Sequence, residues 1–139
     1  MRKSLFLRCI SPGLAALLFA GVAPYDLRAD TTLNSGTTTV STGTNFGTNL
    51  YVADTGTATL VIAGGLATDT NGLIGRSAGS VGTAMVSSGT WANSNYLIVG
   101  FYGTGTLNVT GGRVTSTDGY IGRLAGGVGT ATVSSGTWA

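Results

Sequence analysis

Apolar positions divide the chain into two parts of different character. Gly13 to Ala23 is an unbroken apolar run, GLAALLFAGVA, with Arg2, Lys3 and Arg8 ahead of it. From about residue 31 onward, apolar side chains alternate with Thr, Asn and Gly, the period of strands that bury one face. Counting back from Val109, Leu107 shares its face while Asn108, Thr106 and Thr104 point the other way. Counting back from Val133, Ala131 points in, and Thr132 and Thr130 point out. Each such segment predicts a short strand that offers a few side chains to an interior.

The segments recur. IGRSAGSVGTAMVSSGTWA at 74–92 returns as IGRLAGGVGTATVSSGTWA at 121–139, with 16 of 19 positions the same and an offset of 47 residues. LYVADTGTATLVIAGG at 50–65 returns as LIVGFYGTGTLNVTGG at 97–112 with the same offset. A finer period lies inside this unit, marked by a β-branched residue followed three places later by Gly: Val40, Ile62, Val86, Val109 and Val133. The glycines, Gly43, Gly65, Gly89, Gly112 and Gly136, are 22, 24, 23 and 24 residues apart. Val52, Ile74, Val99 and Ile121 keep the same step, and Asn45, Ala67, Trp91, Val114 and Trp138 form a looser third series two places after each glycine.

A period near 23 is too short for paired-helix repeats, and Gly and Thr are poor residues for helix interiors. Leucine-rich repeats have a compatible length, but their Leu and Asn framework is missing. The period is therefore one coil of an all-β solenoid, with about 22–25 residues per coil, four to five coils, and three short strands per coil. Stacking places each apolar series in an internal column. The glycines mark corners, which need positive φ or close backbone approach. Asn71-Gly72 and Asp118-Gly119 read as corresponding turn dipeptides. Val52 to Ile62 and Val99 to Val109 span ten residues, whereas Ile74 to Val86 and Ile121 to Val133 span twelve, so alternate coils should differ in outline along one edge.

Composition supports order and export. Gly and Thr make up about a third of the chain, yet Val, Ile, Tyr and Trp recur at fixed places, unlike a disordered chain. The basic start and the eleven-residue apolar run form a secretory signal over 1–29, too short for a permanent span of about 20 residues. Cleavage is expected after Ala29. Arg2, Lys3, Arg8 and Arg28 belong to this segment, so residues 30–139 keep only Arg76, Arg113 and Arg123 against Asp30, Asp54, Asp69 and Asp118. Three scattered Arg cannot displace counterions from phosphates, which excludes a nucleic-acid partner. The single cysteine, Cys9, precedes the apolar run, and after residue 29 there is no Cys, His, Lys or Glu. General acid–base and nucleophilic catalysis draw mostly on those residues, so the chain is expected to be no enzyme and to need no cofactor or metal.

The GTGTL, NVTGG, YIG and GVGTATVSSGTW pattern resembles repeats in the passenger regions of bacterial type V autotransporters. The resemblance covers roughly 31–139 and rests on a repeat type rather than a catalytic signature. It implies a right-handed parallel β-helix displayed outside a Gram-negative cell, often in adhesion or aggregation. Such proteins end in a membrane β-barrel translocator. The chain stops at Trp138-Ala139, where the preceding copy continues as NSNYLIVG, so it is expected to be a fragment or truncated frame. Partners would be a host or abiotic surface, a glycan, or another copy meeting it at the solenoid ends, with membrane contact only through the translocator.

Asp54 and Asp69 could be a carboxylate pair for sugar hydrolysis, but one unit later Phe101 and Ser116 stand in their places, which favours solvated loop aspartates. Gly64, Gly65 and Asp69 fit only part of a calcium-binding G-G-x-G-x-D repeat. Thr37, Thr59, Thr83, Thr106 and Thr130 form one outward series three places before each Val or Ile, which could order water as an ice-binding face. A second complete Thr row is missing, because Val61 and Met85 interrupt it. Trp91 and Trp138 could stack against sugar rings, although the third series makes them core or corner residues more readily, and Arg76 and Arg123 belong to a solvated edge. A secreted binding module for ice or glycan is thus the alternative to an adhesive scaffold.

Overall fold

The computed structural model describes residues 29–139; apart from Ala29, the expected signal segment lies outside the described residues. These residues form eleven strands and no helix: β1 Thr31–Val40, β2 Thr44–Asn45, β3 Asn49–Asp69, β4 Asn71–Ile74, β5 Val81–Asn93, β6 Tyr96–Val99, β7 Thr104–Val109, β8 Arg113–Thr115, β9 Asp118–Ile121, β10 Val128–Val133 and β11 Thr137–Trp138. All pairings are parallel, each between a strand and the coil before or after it. The result is a β-solenoid of about 5 turns, as the repeat period predicts.

The coils share three faces. The first carries residues 49–52 of β3, then β4, β6 and β9. The second carries the end of β1, residues 57–62 of β3, the start of β5, β7 and β10. The third carries β2, residues 66–69 of β3, the end of β5, β8 and β11. Val40, Ile62, Val86, Val109 and Val133 are register partners in succession, as are Val52, Ile74, Val99 and Ile121. Both expected columns are therefore real, and the first four members of one and the first three of the other lie in the core cluster. Coils three and five carry the longer edge, each with a tight turn closed by Ser80 N–H on Ser77 O or Gly127 N–H on Leu124 O.

Two expectations fail in instructive ways. In the third column Thr44, not Asn45, partners Ala67, because the first coil turns its corner one residue sooner; Asn45 is exposed and Phe46 is buried instead. Asn71-Gly72 and Asp118-Gly119 are not turns but the first residues of β4 and β9. Gly72 is required for space: a Cβ there would overlap Asn93 Oδ1, lie 2.8 Å from Leu97 Cδ1 and 3.0 Å from Trp91 Cζ2, and one on Gly119 would lie 2.8 Å from Trp138 Cζ2.

A corner unmarked in the sequence pattern follows the first face. Ala53, Gly75, Gly100 and Gly122 occupy it with φ of 63°, 69°, 80° and 62°. Left-handed backbone costs an L-residue with a Cβ roughly 1–2 kcal/mol. Part of that gain is offset by the larger unfolded-state freedom of glycine. Ala53→Gly should therefore be neutral or stabilising by up to about 1 kcal/mol. Gly100→Ala should cost about 2 kcal/mol or more, because its Cβ would also overlap the Val128 carbonyl. Urea midpoints of the two variants check this, and equal losses from both would contradict it.

Candidate functional site

The outer side of the second face carries the threonine series. Thr37, Thr59, Thr83, Thr106 and Thr130 are direct register partners across all five coils. Thr37 and Thr130 are exposed, and the three between them are partly covered by their neighbours. Ser35, Thr57, Val81, Thr104 and Val128 flank the ladder on one side; Thr39, Val61, Met85, Asn108 and Thr132 flank it on the other. The first flank keeps the branched shape of Thr where it substitutes Val, but alternates hydroxyl with methyl.

The third face turns its polar chemistry inward. Trp91 is fully buried in the core cluster, so it has no ring face to offer a sugar, and its indole N–H donates to Asp69 Oδ2 at 2.6 Å. Asp69 is only 5% exposed, which overturns the expected solvated aspartate. Burial pushes its carboxyl up from 3.8 to about 7, against the lowering effect of the Trp91 hydrogen bond. Its register partner Asn93 donates to the Thr115 carbonyl at 3.1 Å. Asp69 Oδ1 and Asn93 Oδ1 are both buried without a hydrogen-bond partner. Two acceptors on adjacent rungs lack a donor, and a proton on Asp69 supplies one. Both residues line an open groove of about 610 Å³ that also touches Thr68, Thr70 and Ser94. In the next unit the partly buried Trp138 donates instead to Ser116 Oγ at 3.1 Å.

Asp54 is held elsewhere, accepting from the Arg76 guanidinium at 2.7 Å, so the two candidate carboxylates have separate partners on separate faces. That hydrogen bond and charge stabilise the protonated Arg76 and raise its pKa. Gly64 and Gly65 lie between the second and third faces, with Asp69 buried beyond them. Among the described residues no three of His, Cys, Asp and Glu gather as metal ligands.

The outer side of the first face carries a column of apolar and aromatic side chains beside an asparagine ladder. Tyr51, Leu73, Ile98 and Tyr120 form one outward column, and its middle members are 5% and 0% exposed although they point away from the core. Beside it, Asn71 donates to Asn49 and Asn95 donates to Asn71, at 2.8 and 2.9 Å. Asp30 closes that ladder by accepting from Asn49 at 2.7 Å. Tyr51, whose hydroxyl also reaches Asp30 at 3.4 Å, has its pKa raised first by burial and then by that carboxylate. Arg76 lies over the Tyr51 ring at 4.6 Å. Arg123 lies 4.4 Å from the Tyr120 ring and 5.9 Å from those of Tyr96 and Phe101.

The repeat pattern puts Arg76 and Arg123 on a solvated edge and gives no role to Tyr51, Tyr96, Phe101, Tyr102 and Tyr120. The available signal was their clustering, because positions 49, 54, 55 and 73 all become aromatic one unit later. The chain matches no protein-family model, no curated protein and no solved structure.

Proposed function

We propose that this chain is an exported, non-catalytic scaffold that works by adhesion, in the manner of an autotransporter passenger, through outer faces repeated coil after coil. The observation that supports this best is the unbroken register of the second face, where five coils present one aligned threonine ladder. Such a surface suits broad contact built from many weak interactions rather than a single deep pocket.

The in-register threonine ladder also favours an ice-ordering surface as a second reading. One experiment separates the two. The whole chain is displayed on a non-aggregating Gram-negative cell, alongside a triple variant with Thr59, Thr83 and Thr106 changed to Lys. Adhesion predicts that cells bearing the parent chain settle together or hold to glass. Ice ordering predicts shaped ice crystals from the purified parent chain and none from the triple variant. Verified surface display with neither settling nor attachment would reject the adhesive function.

A further inference from the structure

We infer that the aromatic cluster around Arg123 is a binding site for an acidic polysaccharide, with Arg123 taking the carboxylate of a uronic-acid unit. The inference rests on the adhesive reading and names its ligand class.

The two halves of the 47-residue repeat differ most tellingly at this place. Arg76 and Arg123 are equivalent residues, each following Ile-Gly. Arg76 is neutralised by Asp54 at 2.7 Å. The equivalent of Asp54 is Phe101, so the second unit replaces the carboxylate with a ring. Among the described residues the Arg76–Asp54 contact is the only ion pair, which leaves the Arg123 guanidinium without an anion. Three further exchanges surround it: Asn49 becomes Tyr96, Thr55 becomes Tyr102 and Leu73 becomes Tyr120. Four aromatic residues thus gather where the first unit has none of them.

This arrangement has the chemistry of acidic-sugar recognition. The rings of Tyr120, Tyr96 and Phe101 attract the guanidinium by cation–π interaction, and a planar guanidinium matches a carboxylate with two parallel hydrogen bonds. Tyr102 stands edge-on to Phe101, with centroids 4.9 Å apart and planes at 80°, and is 48% exposed. Its free ring is a platform for the C–H face of a pyranose, and the phenol hydroxyls of Tyr96, Tyr102 and Tyr120 can pair with sugar hydroxyls. Strands β6 and β9 carry Tyr96 and Tyr120 in a rigid parallel ladder, so little ordering is needed on binding. The site lies on the outer side of the first face, where the parallel rungs of β6 and β9 set Tyr96 and Tyr120 side by side, a surface that suits sugar rings lying along it.

The test measures binding of the whole chain to oligogalacturonate by calorimetry, with the methyl-esterified oligomer as a neutral match and polyglutamate as an anion lacking sugar rings. Oligogalacturonate should bind at least about tenfold more tightly than either control, because it alone offers both a carboxylate for the guanidinium and a sugar face for the Tyr102 ring. Arg123→Gln should erase that preference. Phe101→Asp, which rebuilds the first unit's ion pair and so should fold, should erase it equally, while Arg76→Gln should leave affinity within about twofold. Equal binding of the acidic and methylated oligomers, or of polyglutamate and oligogalacturonate, would overturn the site. So would an unchanged affinity in Arg123→Gln with the parent's melting profile. If none of the three probes binds but displayed cells still adhere, the site falls and adhesion stands; if cells also fail to adhere, both fall.

Discussion

Unfolding experiments between about pH 4 and pH 8 should show this solenoid losing stability as the pH rises, the reverse of ordinary acid denaturation. The cause is Asp69, whose folded pKa is pushed up to about 7 by burial from an ordinary 3.8. Between those values the folded chain holds a proton that the unfolded chain releases, so the native state binds more protons and raising the pH favours unfolding. The contribution is fully present below about pH 4 and is lost as the pH passes about 7. Linkage sets its upper size at about 4 kcal/mol, reduced to the extent that groove water solvates the charge. The chain contains no His, so no other side chain with an ordinary pKa near neutrality obscures the slope. Asp69→Asn and Asp69→Ser should remove it and be more stable than the parent at pH 8, since Ser116 already plays this part beside Trp138. A pH-independent urea midpoint for the parent chain would show that the carboxyl is not held protonated.

Trp91→Ala should be among the most damaging single changes, at about 3–5 kcal/mol, and Trp138→Ala should cost less than half as much. The two residues end identical SSGTW segments, but their surroundings differ. Trp91 fills the core in a coil covered on both sides, pairing with Ala67 on one rung and Val114 on the next. Removing it opens a cavity and strips Asp69 of its donor. Trp138 lies in the last coil, pairs on one side with Val114, and is partly exposed. Nearest-neighbour stacking means that damage at Trp91 uncouples the two coils with which it pairs, whereas among the described residues Trp138 pairs with one. Chemical denaturation of the two variants reads the difference directly; equal losses would contradict it.

The coil period and two of the three columns were legible because their markers are β-branched residues that must face inward at every turn. Val40 to Val133 and Val52 to Ile121 have no alternative face. The third column slipped by one residue in the first coil because Thr44 and Asn45 are both polar, and only the shorter corner distinguishes them. Asn71-Gly72 reads as a turn because a turn dipeptide and a glycine that makes room for side chains are the same letters; the ring comes from Trp91 on the third face of the same coil. Asp69 was hidden for a related reason. Its partner lies 22 residues away, and the equivalent Ser116 makes the same hydrogen bond without a carboxylate, so comparing repeats made the aspartate look incidental. The aromatic cluster is silent in the repeat pattern because Tyr96, Phe101, Tyr102 and Tyr120 are departures from the first unit.

The alternation of short and long coils bears on how such a chain can grow. Each strand meets only the coil before and the coil after, so every added coil closes a loop of the same length however many precede it. Lengthening the solenoid therefore does not make its slowest folding step slower, as it would where distant ends must meet. A single inserted coil would set like against like along the edge where lengths alternate. Duplication of two coils at once preserves the match, which makes the pair, rather than the coil, the heritable unit of this architecture.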